Sequence, residues 1–483
     1  MSNKNSTISF ILDGKIVEID FHDIKPTTTV LNYLRELPNH KGVKEGCAEG
    51  DCGACTTVLG ELKDGKISYK AVDSCLIFLP MIHGKQLITV ECIGNSDNMH
   101  VVQQAMVDTD GSQCGYCTPG FITSLFALYK NHNEPSREII DDALTGNLCR
   151  CTGYRSIVEA AAKSCVHNGK DDITVSESKV VELISKIDCS NQISIKTSIQ
   201  EYFLPATIQE AVQLKSDHPD AIVINGATDI ALKVTKQNQL LEKIIDLSMV
   251  VDLNQIIEED EHITFGAGVS LEDVKTVSQQ NFPAMYDMLA VFGSVQIRNL
   301  ATLGGNVASA SPIGDTPPVL MAYDATIVLT SVDGQREFKM DDFITGYHET
   351  QMMDNEIIKE IRIPRQLDGV NYKSYKISKR KDLDISTVSI GARLKTNSEN
   401  IVEEICLAYG GMAALTKSAK KAESYLTGKE WSRENVEEAM NLIDEEFTPI
   451  SDARSGADAR RVMARNLLLK FWTETCQLSV VNE

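Results

Sequence analysis

Alternating apolar and polar residues at the start of the chain predict a β-hairpin. Residues 8–12 and 15–19 alternate on either side of Asp13-Gly14, and an Asp-Gly pair between two such stretches is typical of a two-residue hairpin turn. Apolar residues over positions 29–37 recur at helical spacing, so a short helix is expected after the hairpin.

Four further segments predict a helical unit in the next part of the chain. Their apolar residues recur at helical spacing over residues 99–109, 121–131, 136–144 and 157–167. The stretch HNGKDDITVSESK that follows is polar and lacks an apolar period. It predicts a surface linker over residues 169–195.

The remaining two thirds of the chain predict two mixed domains. A helix, a buried strand over residues 221–224, a turn and another helix open the first of them, and from residue 371 three strand patterns precede three helical ones. The fold class predicted is therefore multidomain α+β. Its domains are expected at residues 1–93, 94–168, 196–369 and 370–483.

Composition and charge exclude several classes of protein. The 483 residues are 42% hydrophobic, which suits three or four globular domains. A net charge of -21 disfavours nucleic acid and anionic membranes as partners. No run reaches the roughly 18 apolar residues of a membrane helix, and MSNKNSTISF shows no apolar leader. Five cysteines, an odd number, lie outside the two sets described below. The odd number and the lack of an apolar leader predict that the protein resides in a reducing cytoplasm. The five are Cys92, Cys165, Cys189, Cys406 and Cys476.

The first set of cysteines has the spacing of an iron-sulfur site. The segment GCAEGDCGAC has the pattern C-x4-C-x2-C, and a fourth cysteine follows after nineteen residues. This is the spacing of plant-type 2Fe-2S ferredoxins, and with the hairpin and helix before it, it predicts a β-grasp ferredoxin domain. Three glycines, Gly46, Gly50 and Gly53, are expected to let the backbone approach sulfur closely. A structural zinc site is the alternative. The predicted ligands are Cys47, Cys52, Cys55 and Cys75.

The second set combines a C-x2-C pair in QCGYCTPG with a C-x-C pair in CRCTGYR, thirty-one residues later. Each pair precedes a predicted helix, so two positive helix ends would favour an anionic cluster. Four cysteines in two short pairs also suit a tetrahedral zinc site, an alternative made weaker by the ferredoxin-type loop nearby. The predicted ligands are Cys114, Cys117, Cys149 and Cys151.

Two later segments have the composition of phosphate-binding loops. NGATD lies between a predicted strand and a helix, where free amides can hold a pyrophosphate, although an ordinary turn has the same composition. The Gly-Gly-Asn turn at 304–306 is expected to expose backbone donors without obstruction by Cβ. By contrast, Gly266-Ala267-Gly268 lacks the third glycine of the dinucleotide fingerprint, so no Rossmann site for a nicotinamide cofactor is predicted.

In their order, KEGCAEGDCGAC followed by QCGYCTPG and CRCTGYR, the two cysteine motifs resemble those of the molybdenum hydroxylases. This family includes xanthine dehydrogenases, aldehyde oxidases and their bacterial relatives. The resemblance implies two 2Fe-2S clusters, the second of them nearest the molybdopterin, and an FAD domain of the vanillyl-alcohol-oxidase type. It also implies that Arg380 and Asp382 lie on the loop near the flavin that in some relatives governs nicotinamide access; a solvated face is the alternative for KRKDLD. The FAD-binding residues that it implies are Val223, Ile224, Asn225, Gly226, Ala227, Thr228, Asp229, Ile230, Phe292, Thr302, Leu303, Gly304, Gly305, Asn306, Ser309, Asp315, Ile358 and Lys376.

The organisation of the chain further resembles the small subunit of bacterial xanthine dehydrogenase, because no molybdopterin domain follows the flavin part. The resemblance implies an electron relay from purine oxidation on a large molybdopterin-binding subunit, through both clusters and FAD, to NAD as a transient acceptor. It also implies a heterotetramer with two copies of each chain, in which Gln113 reaches the pterin. The alternatives are a subunit that serves an aldehyde or N-heterocycle hydroxylase, and a non-enzymatic iron-sulfur redox sensor.

Overall fold

The computed structural model describes residues 6–166 and 171–481. They form two compact units, one made of Met1–Val251 with Gly293–Ala301 and the other of Asp252–Phe292 with Thr302–Glu483. Within the described residues, every helix is too short or too polar to cross a lipid bilayer.

The first unit begins with the predicted hairpin, which belongs to a five-stranded sheet. Asp13 and Gly14 take φ angles of 51° and 68° in its turn, the left-handed conformation that a two-residue hairpin requires. Along the sheet the strand order is β2-β1-β5-β3-β4, with β1 and β5 parallel. The predicted helix is Val30–Glu36, capped by Thr29, and it buries Val30, Leu31 and Leu34. The strands are β1 (Thr7–Leu12), β2 (Lys15–Asp20), β3 (Thr56–Lys63), β4 (Lys66–Asp73) and β5 (Gln86–Ile88).

The helical unit predicted next in the chain is confirmed. Phe121 and Phe126 of its longest helix, together with Val58 of β3, belong to one buried apolar cluster. Of the predicted fourth helix, His167 lies outside the described residues. The helices after β5 are Val90–Ile93, Val101–Asp108, Thr118–Asn131, Arg137–Leu144 and Arg155–Ser164.

The prediction of a surface linker over residues 169–195 was wrong for the middle of that range, because residues Asp172–Ile184 form a helix. Val180 and Ile184 of this helix are buried in the same cluster as Phe121. Polar contacts fix its start: Asp171 caps it by accepting from the Thr174 amide at 2.6 Å. Asp171 also pairs with Lys130 at 3.1 Å and His100 at 3.0 Å. The apolar residues at the end of this helix and the long-range partners of Asp171 at its start therefore order a segment whose first half is polar.

Replacing Asp171 with Asn should loosen this helix. Asn keeps the cap but loses the ion pair with Lys130 and the charged acceptor that His100 contacts, and hydrogen bonds to charged groups contribute about 1.5–3 kcal/mol. We expect amide hydrogen exchange over Asp172–Ile184 to accelerate by about tenfold or more. Glu182→Gln, which breaks an exposed pair with Lys186 on the same helix, should change exchange by less than about threefold. An equal effect of both substitutions would contradict this role of Asp171.

The stabilisation of this helix by Asp171 should depend on pH. Burial opposes the charge of Asp171, but hydrogen bonds from His100 and Thr174 outweigh it and hold its pKa well below the usual value. Stability gained from a lowered carboxyl pKa is present above the unfolded pKa of about 3.9 and is lost as the pH falls. The difference between wild type and Asp171→Asn should therefore be full at pH 7 and should shrink below about pH 4.

A second, four-stranded sheet completes the first unit. Its order is β6-β7-β9-β8, with β7 and β8 both parallel to β9. The predicted order of helix, buried strand, turn and helix is confirmed as Ile208–Asp217, then β8, then Ile230–Thr235. The strands are β6 (Ile193–Lys196), β7 (Glu201–Leu204), β8 (Ile222–Ile224) and β9 (Lys243–Asp246), and a separate short helix is Val295–Arg298.

The second unit contains two larger sheets and a two-stranded ribbon. One sheet has the order β10-β11-β16-β12-β13, the other β17-β18-β19-β20, and β14 pairs with β15. Strands of the first sheet and the ribbon are β10 (Ile256–Glu258), β11 (His262–Gly266), β12 (Thr326–Ser331), β13 (Gly334–Lys339), β14 (Ile344–Gly346), β15 (Glu349–Thr350) and β16 (Ile357–Pro364). Helices of this part are Leu271–Asn281, Pro283–Leu289, Leu303–Ala308, Thr316–Ala322 and Met340–Phe343.

The last part of the second unit confirms the predicted strands followed by helices. Val388 and Ile390 of its sheet share a buried cluster with Trp431 and Phe471 from the helical part. The strands are β17 (Val370–Ile377), β18 (Val388–Thr396), β19 (Val402–Gly410) and β20 (Lys417–Ser418), and the helices are Lys420–Leu426, Arg433–Glu446 and Ala457–Val481.

Candidate cluster and flavin sites

The first cysteine set lies at one end of the five-stranded sheet. Cys47 and Cys52 are in the loop that leads to β3, Cys55 directly precedes β3, and Cys75 lies in a short turn after β4. The Cys52 thiol lowers the pKa of Cys47 and the Cys75 thiol raises that of Cys55, as expected of sulfur atoms that lie side by side. The fold thus brings all four residues to the same end of the sheet, as two thiol pairs.

The three glycines of this loop have two roles. Gly46 allows the predicted close approach, because a Cβ there would lie 2.7 Å from the Cys52 sulfur. Gly50 and Gly53 have φ angles of 77° and 65°, which favour glycine. Amides of Glu49 and Asp51 point at the Cys47 sulfur, at 3.4 and 3.3 Å. The Cys52 thiol and these amides lower the pKa of Cys47 to about 5, which favours the thiolate that binds metal.

Asp73 is a residue of this site that the sequence analysis missed. Its side chain is fully buried, and its Oδ1 accepts from the Cys55 thiol at 3.6 Å. Burial raises the pKa of Asp73 to about 8, and the nearby Cys47 adds to the rise. A signal was present in the sequence, since an Asp within the apolar run of a buried strand needs a partner.

The second cysteine set lies at the starts of two helices, as predicted. Helix Thr118–Asn131 begins directly after Cys117, and helix Arg155–Ser164 begins four residues after Cys151. The Cys151 thiol helps to lower the pKa of Cys114, and the Cys149 thiol helps to raise that of Cys117, so these sulfur atoms are neighbours. Cys149 also accepts from the Thr152 hydroxyl at 3.2 Å and from the Cys151 amide at 3.4 Å. Cys114 and Cys151 are exposed.

The donors of both sets fit a two-iron cluster. A 2Fe-2S cluster takes four cysteines, two on each iron, and each set brings four thiols together. Four thiols also suit a zinc ion, and the C-x4-C-x2-C spacing of the first set is what favours iron-sulfur clusters.

A short backbone connection joins the two sets. The amide of Leu148, next to Cys149, donates to the carbonyl oxygen of Cys52 at 3.0 Å. Asn147 holds the same segment, since its Nδ2 donates to the Gly53 carbonyl at 3.1 Å. A Cβ at Gly53 would lie 2.4 Å from the Gly146 carbonyl oxygen, so only glycine allows this approach. One hydrogen bond and a few covalent bonds thus separate Cys52 from Cys149.

The first predicted flavin loop follows β8 in the first unit. Val223 and Ile224 lie on β8, and residues 225–229 form the turn before helix Ile230–Thr235. Ala227 takes a φ of 55°. Gly226 is required by packing, because a Cβ there would lie 1.7 Å from the Leu300 carbonyl oxygen. Asn225 and Thr228 are half-buried, and Asp229 is exposed.

The second predicted flavin loop lies in the second unit, and its structure corrects one expectation. Residues 304–306 are the first turn of helix Leu303–Ala308, capped by Thr302, and not an open turn. The Gly304 amide donates to the Ala267 carbonyl, and the Gly305 amide to the Thr302 hydroxyl. The predicted exposure of these backbone donors was therefore wrong, because the helix start and the neighbouring strand end use them.

Several donors and acceptors of this loop lie on its accessible side. Asn306 accepts from the Thr316 hydroxyl at 2.6 Å, which orients its amide group. The Ser309 carbonyl contacts Nδ1 of His348 at 2.6 Å. Gly305 is exposed, and Asn306 and Ser309 are half-buried. The side chains of Asn306 and Ser309 and the exposed surface of Gly305 can contact a ligand. The buried Leu303 and Gly304 lie beneath them.

Two predicted flavin residues form a buried ion pair. Nζ of Lys376 lies 2.9 Å from Oδ2 of Asp315, and both side chains are about 5% exposed. Ser386, which the sequence analysis missed, donates its hydroxyl to the other oxygen of Asp315. Lys376 also donates to the Val291 carbonyl at 3.4 Å, beside the half-buried Phe292. Ile358 is buried on β16.

The predicted nicotinamide loop is held by its own residues. The Arg380 amide donates to Asp384 at 3.0 Å, and its guanidinium donates to the Leu383 carbonyl at 2.9 Å. Asp384, not Asp382, is therefore the carboxylate that contacts Arg380. Arg380 is exposed, and Gln113, predicted to reach a pterin, is also exposed beside Cys114.

Four domain families match successive parts of the chain. Residues 10–78 match a 2Fe-2S iron-sulfur cluster binding domain, and residues 89–162 a [2Fe-2S] binding domain. Residues 195–366 match the FAD binding domain in molybdopterin dehydrogenase, and residues 373–475 the CO dehydrogenase flavoprotein C-terminal domain. The predicted multidomain fold, with its two iron-sulfur domains and its flavin part, is confirmed by these matches.

Relatives of known activity are similar over nearly the whole chain. It is 33% identical to the xanthine dehydrogenase of Emericella nidulans and 31% identical to the xanthine dehydrogenase/oxidase of Gallus gallus, with 97% of this chain covered in each comparison. The alignments cover 38% and 40% of those two proteins, so the chain spans about two fifths of their length.

Solved structures resemble part of the chain. A carbon monoxide dehydrogenase chain from Hydrogenophaga pseudoflava aligns with a TM-score of 0.53 and 26% identity, over 57% of this chain and 96% of that one. A quinoline 2-oxidoreductase chain from Pseudomonas putida 86 has a TM-score of 0.53 and 25% identity, over 59% and 99%. The chain therefore belongs to the molybdenum hydroxylase family, as a homologue of the N-terminal part of xanthine dehydrogenases with iron-sulfur, FAD-binding and flavoprotein C-terminal domains.

Proposed function

We propose that this chain is the electron-transfer subunit of an NAD-dependent xanthine dehydrogenase. It would accept electrons from the oxidation of hypoxanthine and xanthine to urate on a molybdopterin-binding subunit and pass them to NAD. The observation that carries the proposal is the hydrogen bond from Leu148 to Cys52, which connects the two cysteine sets through backbone. When bound, 2Fe-2S clusters supply one-electron transfer and FAD supplies hydride transfer.

The cysteines would hold the clusters in their observed pairs. Cys47, Cys52, Cys55 and Cys75 are assigned to one cluster, and Cys114, Cys117, Cys149 and Cys151 to the other. Amides of Glu49 and Asp51 would donate to the first cluster at Cys47, and the Thr152 hydroxyl to the second at Cys149. Hydrogen bonds to sulfur stabilise the reduced state of such centres and raise their potential.

For FAD we propose the two loops and the buried ion pair. Residues 223–230 would contact the cofactor through the turn after β8. Thr302 to Asn306 would contact it at the start of helix Leu303–Ala308, and Ser309 at the end of that helix. Asp315, held by Lys376 and Ser386, would accept from the ribityl chain or the ring, and Phe292 and Ile358 would supply apolar contact. Lys376 and Ser386 donate to the two oxygens of Asp315, which leaves the remaining lone pairs of the carboxylate to accept hydrogen bonds from the cofactor.

The surface around the second cysteine set supports a macromolecular partner. Cys114 and Cys151 are exposed, and the large apolar side chains of Tyr116, Leu148 and Tyr154 nearby are 50%, 43% and 38% exposed. Apolar and aromatic side chains around an exposed functional group are typical of an interface. We propose that the molybdopterin-binding subunit covers this surface, near Gln113, in an assembly with two copies of each chain.

A second candidate is the equivalent subunit of another molybdenum hydroxylase. The structural similarity to carbon monoxide dehydrogenase and quinoline 2-oxidoreductase chains favours it. The partner's substrate pocket would decide between these reactions. The third candidate is a non-enzymatic redox sensor. Iron-sulfur clusters in a purified chain that lacks flavin would favour it.

Purified chain, alone and with its co-expressed partner, should test the proposal. We expect tightly bound FAD, two cluster signals in electron paramagnetic resonance after reduction, and NADH-to-dye activity from the chain alone. Xanthine-dependent NAD reduction should require the partner. Clusters without FAD would favour the sensor, and NADH-to-dye activity with no xanthine activity in the complex would favour another hydroxylase.

A further inference from the structure

Three side chains of different metal-binding chemistry converge in the ferredoxin-type part, apart from both cysteine sets. Asp13 is in the turn between β1 and β2, His40 follows helix Val30–Glu36, and Cys92 lies in helix Val90–Ile93. One ligand atom from each lies within 4.8 Å of the others. Nε2 of His40 is 3.1 Å from Oδ2 of Asp13, and the Cys92 sulfur is 3.1 Å from Oδ1.

We propose that Asp13, His40 and Cys92 form a binding site for a divalent zinc ion. One thiolate, one imidazole and one carboxylate are the ligand types that zinc takes in proteins. Magnesium and calcium require oxygen ligands, which only Asp13 supplies here. Three protein ligands leave the fourth tetrahedral position to water or to a group from another molecule.

Neighbouring groups orient the imidazole for this role. Nδ1 of His40 lies 3.0 Å from the Thr89 hydroxyl, so this ring nitrogen can carry the proton and donate it. The present contact of Nε2 with the Asp13 carboxylate uses a proton on Nε2; with the proton on Nδ1 instead, Nε2 presents its lone pair on the side of Asp13. A histidine that binds a metal through one nitrogen and donates from the other is the usual arrangement.

The cluster combines a rigid interior with an open edge. The His40 side chain is 5% exposed, whereas that of Asp13 is 53% exposed. Glu91, next to Cys92, is held by the Gly42 amide at 2.6 Å, and its other oxygen lies 4.0 Å from Nδ1 of His40. An ion can therefore enter from solvent beside Asp13 and meet two ligands whose positions are already restricted.

Binding would replace the hydrogen bonds among the three ligands. The Cys92 thiol now donates to Asp13, so zinc would displace the thiol proton to solvent and bond to the sulfur. The imidazole would lose its proton from Nε2 and carry one on Nδ1 instead, beside the Thr89 hydroxyl. Asp13 would exchange its contacts with the thiol and the imidazole for one bond to the ion. The ion would then link three segments that lie 27 and 79 residues apart from Asp13 in sequence.

Zinc titration of the full chain, purified with its iron-sulfur clusters intact, tests this site. We expect one zinc per chain with a dissociation constant of about 1 μM or tighter in nitrilotriacetate buffers, with no loss of iron. Cys92→Ser and Asp13→Asn should each weaken binding by at least the roughly 10- to 100-fold that loss of an outer partner costs. Cys189→Ala, which removes an exposed thiol elsewhere, should bind as wild type does.

Zinc X-ray absorption separates this site from misloaded cluster sites. We expect one sulfur at about 2.3 Å and nitrogen or oxygen neighbours at about 2.0–2.2 Å. A shell of sulfur alone, with iron lost, would mean that zinc occupies the cluster cysteines and would overturn the proposal. The absence of stoichiometric binding, or affinities unchanged in both variants at full iron content, would leave a hydrogen-bonded cluster without a metal role and would also overturn it.

Discussion

Replacing Cys117 with Ser should remove one of two iron-sulfur clusters and abolish xanthine-dependent NAD reduction. Cys117 pairs with Cys149 in the second set, and a 2Fe-2S cluster requires four ligands. Because we propose that NADH exchanges electrons at FAD, NADH-to-dye activity should stay near the wild-type level. Iron content, electron paramagnetic resonance and the two activities measure these outcomes.

Matched variants show whether the effect belongs to the second set. Cys55→Ser should instead remove the other signal, because Cys55 pairs with Cys75 in the first set. Cys189→Ser, at an exposed thiol outside both sets, should retain both signals and both activities. If Cys117→Ser lost both activities equally while FAD and the fold remained, the proposed order of the relay would be wrong. Cys117→Ala excludes ligation by the new hydroxyl.

The substitution Lys376→Met should strongly destabilise the second unit. It leaves the buried carboxylate of Asp315 without its cation, and loss of one partner from a buried pair costs about 3–5 kcal/mol. Lys373→Met is the control, because it removes a lysine of the same strand that is 33% exposed and 3.8 Å from Glu474. That change should cost less than about 1 kcal/mol. Denaturant unfolding followed by fluorescence of Trp431 and Trp472, the two tryptophans, reports on this unit.

A double variant separates folding from flavin binding. Lys376→Met with Asp315→Leu removes both charges, so stability should recover most of the loss. FAD content should not recover, because the proposed acceptor for the cofactor is gone. Recovery of both would show that Asp315 and Lys376 serve only the fold. Failure of stability to recover would contradict the ion pair as the cause.

Local patterns predicted much of the fold. The Asp13-Gly14 turn and the helices predicted over residues 29–37, 121–131 and 136–144 appear where spacing and turn chemistry place them, within a few residues. These features depend on residues a few positions apart, whose conformational preferences act within one turn or one helix. The helix Asp172–Ile184 was missed because its first half is polar and is held by Lys130 and His100, far away in sequence, while the apolar Val180 and Ile184 lie beyond the polar stretch.

The flavin region shows that amino-acid composition alone does not predict which backbone groups are free to bind a ligand. Gly304 and Gly305 were expected to offer free amides, but partners in Ala267 and Thr302 take them. Gly226 was expected to serve a ligand, and its lack of a Cβ also admits the Leu300 carbonyl. A glycine in sequence indicates close approach or unusual backbone, and only the fold shows which neighbour approaches.

By itself, the sequence determined the two sets of four cysteines and their family resemblance, because thiolate spacing along a loop limits which cluster it can hold. The tertiary structure decided which thiols pair, placed Asp73 beside Cys55 and Leu148 against Cys52, and brought Cys92 to Asp13 and His40. Such contacts join positions tens of residues apart, and they arise only when burial of the core brings distant strands, loops and helices together.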